Sequence, residues 1–172
     1  MHIRRPIRAS SPALLARVRY ARTLLANATP LKADCGDYCA RACCTSRGSM
    51  QLLAGEDALC RAFSVAESPD GTFMTCSGAC DRGERPFACR LFPLTYRRPK
   101  EGERDYRLAL EPRGRGLCPL CTGSLRSLDP GFLAAAKEAG RILAGHPLTR
   151  RWLDVHADLY DEYREMARAF GV

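Results

Sequence analysis

Residues 35–44 read CGDYCARACC and place four of the chain's ten cysteines within ten positions. If this stretch is helical, Cys35, Cys39 and Cys43 lie on one face, because helix residues four apart are neighbours with Cβ atoms roughly 5 to 6 Å apart. Cys44 then points about 100° away around the helix axis, so it serves a different centre unless the helix ends there. The cysteine doublet therefore indicates two metal centres or one polynuclear cluster.

Two further cysteine groups follow along the chain. One is CSGAC over residues 76–80, followed by a single cysteine within RPFACRLFP over residues 85–93, and the other is CPLC over residues 118–121. The last pattern is typical of a zinc knuckle, a tight turn whose backbone N–H groups can donate to sulfur. Cysteine groups separated by tens of residues are a strong metal signal. The predicted metal ligands are all cysteines: Cys35, Cys39, Cys43, Cys44, Cys76, Cys80, Cys89, Cys118 and Cys121.

The sulfur donors restrict the choice of metal. Thiolates select zinc, copper(I) or iron–sulfur clusters and exclude calcium and magnesium, which bind oxygen. We expect zinc or an iron–sulfur cluster such as a 4Fe–4S centre. Cys60 stands alone in a predicted short helix over residues 57–63 and is interpreted as a small buried hydrophobe. His146 can complete a Cys3His set, whereas a disulfide scaffold and reduced core cysteines are the alternatives to metal binding.

The length of the chain fits one domain. We predict a single domain over residues 1–172, with a cysteine-cluster metal-binding core at 34–121 and a helical tail at 122–172. A chain of this size buries roughly 70% of its unfolded surface and needs no crosslinks to reach a viable size, so the cysteines require another explanation. Hydrophobic residues at 46% and charged residues at 27% exclude a collagen-like or largely disordered chain.

Helical patterns flank the cysteines on both sides. Residues 12–27 have Ser11 as a candidate N-cap and an apolar stripe, with arginines interpreted as solvated. In the tail, one helix is predicted over residues 129–145, and a second runs from about residue 149 to residue 170 with apolar and aromatic residues at three- and four-residue steps.

Strand patterns are fewer and lie between the cysteine groups. Residues 73–75 indicate a short strand after a turn at 69–71, and residues 91–97 and 105–111 are predicted to form a hairpin. The predicted fold class is therefore mainly α with a small β-hairpin. In this class an irregular cysteine-rich metal-binding core is flanked by N- and C-terminal helices.

The charge and the N-terminus bear on partners and location. The formal charge is +8, which fits an acidic protein partner, an anionic surface or nucleic acid. Interspersed acids such as Glu101 and Glu103 disfavour nucleic acid. Arg17, Arg19 and Arg22 interrupt the apolar run that a secretory signal needs, and no window approaches the roughly 18 apolar residues of a membrane span. We expect a cytoplasmic protein without a membrane partner, where reducing conditions favour metal binding over disulfides.

The segment RPFACRLFP at residues 85–93 matches the RPxxCRxFP motif at every fixed position. Together with Cys39, Cys43 and Cys44 upstream, it resembles the YkgJ-type cysteine-cluster family, described as a zinc- or iron-chelating domain with a CxxCxxCC signature. The match covers about residues 34–121. The leading spacing departs from the family's, because three residues rather than two separate the first three cysteines.

The resemblance implies a metal-chelating domain. One relative, the flagellin lysine methylase, carries the same kind of cysteine cluster in a larger enzyme, but the present sequence shows no methyl-donor site. Within the motif, Arg85 and Arg90 are the predicted cofactor-binding residues. They can donate to sulfur and offset the net charge of about −2 that four thiolates leave on Zn²⁺ or a 4Fe–4S core. The alternative for both arginines is ordinary surface salt bridging.

Three function classes stay open at this point, and no catalytic residue is predicted. The first is a cytosolic metal-binding protein. The second is a metal-dependent enzyme, either redox or protein-lysine modifying, which requires an open coordination position or a substrate-sized cleft beside the metal. The third is a nucleic-acid-binding zinc module, whose binding would weaken steeply with salt.

Overall fold

The computed structural model describes residues 11–45, 48–60, 63–76, 78, 80–81 and 83–171. The α-helices of this part are α1 (Pro12–Leu24), α2 (Ala42–Thr45), α3 (Phe87–Leu91), α4 (Pro130–Ala144) and α5 (Pro147–Phe170). Its strands are β1 (Ser49–Gln51), β2 (Ser64–Ser68), β3 (Gly71–Thr75), β4 (Leu94–Arg97) and β5 (Arg107–Leu110). Short 3-10 helices occupy Cys35–Tyr38, Glu56–Leu59, Pro112–Gly114, Pro119–Thr122 and Leu125–Ser127. His2, the basic residues at 4–8 and positions 61–62 of the predicted helix over 57–63 lie outside the described residues.

The strands form two antiparallel sheets. In the first, β3 lies between β1 and β2, so that Met74 pairs with Met50 on one side and with Val65 on the other. The second sheet is the β4–β5 hairpin, in which Leu94 faces Leu110. The predicted fold class, mainly α with one small hairpin, is therefore wrong, because the cysteine-rich middle carries a three-stranded sheet as well. The strand β2 is exposed along its whole length, so its sequence lacks the apolar alternation that a buried face imposes.

The predicted terminal helices are present, with small shifts at their ends. Ser11 caps α1 by accepting from the Leu14 N–H at 3.2 Å, and Asp129 caps α4 by accepting from the Phe132 N–H at 3.0 Å. The last helix begins at Pro147, two residues before the predicted start. His146 is its N-cap and accepts from the backbone N–H of Leu148 at 3.2 Å through Nδ1.

The main core joins both ends of the chain to the cysteine-rich middle. Tyr96 of β4 is fully buried, and its hydroxyl donates to the Ala136 carbonyl of α4 at 2.7 Å. Phe87 of α3 is also fully buried and meets the Trp152 ring of α5 edge to face, with the centroids 5.7 Å apart. Full burial of a side chain like Phe87 contributes roughly 1.5–3 kcal/mol. The short helix α3, which carries Cys89, is therefore anchored to the helical core.

Candidate metal centre

All ten cysteines are free thiols, so the disulfide alternative finds no support. The nine predicted ligands lie in short segments that the larger helices and the sheets hold in place. Cys43 and Cys44 belong to α2, Cys89 belongs to α3, and Cys76 directly follows β3. At the far end of the middle segment, Cys118 is the N-cap of the 3-10 helix that contains Cys121.

The first cysteine segment is not the continuous helix that its spacing predicts. Cys35–Tyr38 forms a 3-10 helix, and α2 begins only at Ala42. Between them, Ala40 and Arg41 adopt left-handed backbone conformations with φ of 48° and 58°. Such a conformation costs a non-glycine residue on the order of 1 kcal/mol or more. Backbone hydrogen bonds from Arg41 to Gly36 and from Ala42 to Cys39, each at 3.0 Å, cross the break and offset part of this cost.

The break still brings the sulfurs of this segment together. Partial burial raises the pKa of the Cys43 thiol, and the neighbouring thiols of Cys44, Cys35 and Cys39 raise it further, to about 12. Burial and the neighbouring thiol of Cys118 raise the pKa of Cys121 to about 12, and the Cys43 thiol also contributes to this rise. Thiols from both ends of the cysteine-rich region therefore interact electrostatically.

A second set of thiols surrounds α3. Burial raises the pKa of the Cys89 thiol to about 12, with further contributions from Cys80, Cys76 and Cys44. The backbone N–H of Gly78 donates to the Cys76 sulfur at 3.4 Å, as expected where a tight turn presents a thiol. The thiols of the CSGAC turn and of α2 thus lie close enough to Cys89 to influence its pKa.

Arg85 projects among the thiols of this second set. Burial lowers the pKa of its guanidinium, but Cys44, Cys80 and Cys89 outweigh that effect and raise it. Its Nε is buried and has no hydrogen-bond partner within the described part of the chain. A half-buried cationic side chain with a spare donor beside several thiols fits a group that becomes anionic when the thiols lose their protons.

Arg90 has a different arrangement from Arg85. Its guanidinium donates to the backbone carbonyls of Gly83 at 2.6 Å, Arg85 at 2.8 Å and Arg22 at 3.4 Å. These hydrogen bonds support the loop that precedes α3 and thereby position Cys89. The predicted contact of Arg90 with sulfur stays a prediction.

Sequence reasoning missed a buried polar network beneath this loop. Glu56 is fully buried and accepts from the backbone N–H of Phe87 at 2.6 Å and of Leu53 at 3.1 Å. Its carboxylate lies 3.5 Å from the Nε of Arg22, which is buried and not solvated as predicted. The burial of Arg22 could have been predicted from its position on the apolar stripe of α1, four residues after Val18.

The thiols border a cavity of about 110 Å³. Cys35, Cys39, Cys43, Cys89 and Cys118 lie along its wall, together with apolar side chains from the loop after α1 and from the motif, including Pro30, Phe92 and Leu120. A small ligand can therefore approach the sulfur atoms from this side.

The sulfur atoms of the described residues lie too far apart to bind one ion together. Within the described ranges, no three His, Cys, Asp or Glu side chains stand close enough to hold an ion as they are. Cys60, which was excluded from the ligands, is buried in a small apolar cluster with Leu52 and Met74. The donor chemistry fits zinc or an iron–sulfur cluster, because the grouped side chains are thiols and one guanidinium.

Comparison of the chain with family models, with curated proteins and with solved structures found no match in any of the three. The resemblance described above rests on the segment at residues 85–93 and on the cysteines upstream of it. In the part of the chain that the structure describes, no helix combines the length and the apolar character needed to cross a bilayer.

Proposed function

We propose that this is a metal-binding protein whose cysteines hold zinc or an iron–sulfur cluster. The observation that supports the proposal is that thiols from four separate stretches, with the guanidinium of Arg85 among them, lie close enough to influence one another's pKa. The resemblance to the YkgJ-type family points to the same function. Free thiols also suit the reducing cytoplasm, which we propose as the location of the protein.

Metal binding would require the thiols to lose their protons. With pKa values of about 12, the thiols of Cys43, Cys89 and Cys121 are neutral at pH 7 when no ion is present. A metal ion replaces these protons, and its binding free energy adds to the free energy of folding. Zinc would supply a structural crosslink between the stretches, whereas an iron–sulfur cluster would supply electron-transfer chemistry.

The test is metal analysis of protein that has been expressed and purified without air. We expect zinc alone, or iron with acid-labile sulfide and visible absorption. Cys89→Ser should lower both the metal content and the melting temperature, whereas Cys60→Ala, which alters a thiol outside the proposed set, should leave the metal content unchanged. A well-folded wild-type protein that contains no metal would refute the proposal.

A metal-dependent enzyme is the second candidate, and the cavity beside the thiols favours it. An enzyme needs an open position next to the metal, and Cys39, Cys43 and Cys118 border this space. Adding cyanide to the cobalt-substituted protein should then change its ligand-field spectrum. An unchanged spectrum at high cyanide concentration would count against an open position and would leave a structural metal.

The basic charge suggests an acidic protein partner. The basic balance, +8 with every thiol protonated and lower once thiolates hold metal, would draw such a partner at low ionic strength, and the association should weaken as salt is added. Binding to double-stranded DNA with a comparable salt dependence would instead favour the nucleic-acid module.

A further inference from the structure

We propose that an acidic peptide segment of a partner protein binds in a groove between β5 and α4. The inference rests on the acidic partner proposed above and names the surface on which it would bind. The groove has a volume of about 770 Å³ and is bordered by the loop before β5, by the 3-10 helix Leu125–Ser127 and by α4. None of the described residues that line it is a cysteine, so it is separate from the candidate metal centre.

The floor of this groove is apolar. Tyr106 and Leu108 lie on the β5 side, Leu125 belongs to the 3-10 helix and Leu133 belongs to α4. All four side chains are half-buried, so part of their apolar surface meets solvent. An apolar side chain of a ligand would remove this surface from water, which is the main favourable contribution to most protein association.

The rim of the groove carries more positive than negative charge. Five cationic side chains line the groove, against two acidic ones. Asp105 lies 2.8 Å from Arg141, and Glu103 lies 3.9 Å from Arg107. Both acids are therefore already engaged with a cation of the same rim.

Three cations of the rim remain for a ligand. Arg104, Arg126 and Lys137 are exposed, and none of them makes an ion pair with another described residue. A carboxylate of a ligand can approach these side chains without displacing an existing acidic partner. Charge complementarity of this kind steers the encounter of two proteins and selects against partners of the wrong sign.

The strand β5 offers backbone hydrogen bonds to the same ligand. It pairs with β4 on one edge, and no strand of the described ranges lies on its other edge. The Glu111 N–H donates to the Pro93 carbonyl at 2.8 Å, so in the alternating antiparallel ladder Leu108 directs its N–H and C=O away from β4. Because Leu108 also borders the groove, an extended peptide can add to this edge, a common mode of peptide recognition.

A peptide matches all three features of the groove at once. Its carboxylates suit the cations of the rim, its apolar side chains suit the floor, and its backbone suits the edge of β5. A nucleic acid would suit the cations alone, because it has no aliphatic side chains for a floor of leucines. Its continuous phosphate charge would also meet Glu103 and Asp105.

The test is binding of a short fluorescein-labelled peptide in which Glu and Val alternate, measured on the full chain by fluorescence anisotropy at low salt. We expect binding that weakens as salt is added. The double variant Arg126→Glu, Lys137→Glu should weaken it about tenfold, because two attractive contacts become repulsive. The control variant Arg19→Glu, Arg151→Glu changes two exposed arginines outside the groove, so it alters the net charge equally and should bind like the wild type.

Two control peptides test the two parts of the argument, and replacing Glu by Gln or Val by Ser should each weaken binding to the wild type. Equal weakening in both double variants, or equal binding of the Ser peptide, would overturn the groove while leaving a general attraction for acidic proteins. If the wild type bound no acidic peptide at low salt, the groove and the acidic partner would both fail, and metal binding would be unaffected. The peptide series on the wild type decides this even where a variant does not fold.

Discussion

The buried carboxylate of Glu56 offers a sharp test of how the cysteine-bearing helix α3 is held. The side chain accepts from two backbone N–H groups, those of Phe87 at 2.6 Å and Leu53 at 3.1 Å. Burial raises the pKa of Glu56, and the two amides together with Arg22 offset part of that rise. Its contribution to stability therefore comes from its role as a hydrogen-bond acceptor rather than from its net charge.

We expect Glu56→Ala to destabilise the protein by about 4 kcal/mol, because it leaves two buried N–H groups unpaired at roughly 1–3 kcal/mol each. Arg22 also loses its carboxylate but keeps hydrogen bonds to the carbonyls of Leu59 and Arg85. For a chain of this size the melting temperature should fall by about 8 to 16 °C. Glu56→Gln retains one acceptor oxygen and should lose about half as much.

The assay is urea unfolding of the metal-loaded protein, read by circular dichroism. The control is Glu138→Gln. This carboxylate lies 3.5 Å from Arg141, but both side chains are exposed. Because exposed ion pairs contribute little to stability, we expect no measurable change. A loss below about 1 kcal/mol in Glu56→Ala would refute the argument that these two hydrogen bonds stabilise the loop before α3.

Three further predictions concern other parts of the chain. Gly114→Ala should lower stability and metal content, because the added Cβ would lie 2.7 Å from the Cys121 sulfur. The matched control for metal analysis is Gly116→Ala, whose added Cβ would have no atom within 4 Å. Burial lowers the pKa of His156 to about 4, so stability should fall by up to about 3 kcal/mol as the pH drops from 6.5 to 4, since the unfolded state binds the extra proton. His156→Phe should show a shallower pH dependence in urea unfolding, and an identical slope would contradict this. Tyr96→Phe removes the buried hydrogen bond to α4 and should cost about 1 kcal/mol in the same assay.

The ends of the helices were predictable because their causes are local. A Ser or Asp side chain reaches an N–H only three residues ahead, so the starts of α1 and α4 follow from a few neighbouring residues. The break at Ala40 and Arg41 has no such signal in its residue types. Both residues disfavour left-handed backbone, yet the Arg41 N–H donates to the Gly36 carbonyl and the Ala42 N–H to the Cys39 carbonyl, each at 3.0 Å, across the break.

The three-stranded sheet was missed for a related reason. The strand β2 is exposed on both faces, so pairing with β3 rather than burial defines it. Arg22 shows the reverse case, in which a charged residue on an apolar helix face is buried. Its carboxylate partner, Glu56, lies far along the chain and carries no pattern that would reveal the pairing.

The amino-acid sequence by itself determined which sulfur groups the chain carries and where they stand: cysteines at separated positions, an arginine-containing motif around Cys89, and the Cys43–Cys44 doublet. Only the tertiary structure decided which cysteine stretches lie near one another. Bringing two distant stretches together closes a long loop, and core packing elsewhere offsets the entropy cost of that closure. Phe87 in the core and Glu56 beneath the loop place α3, and the left-handed break at Ala40 and Arg41 directly precedes the helix that carries Cys43 and Cys44.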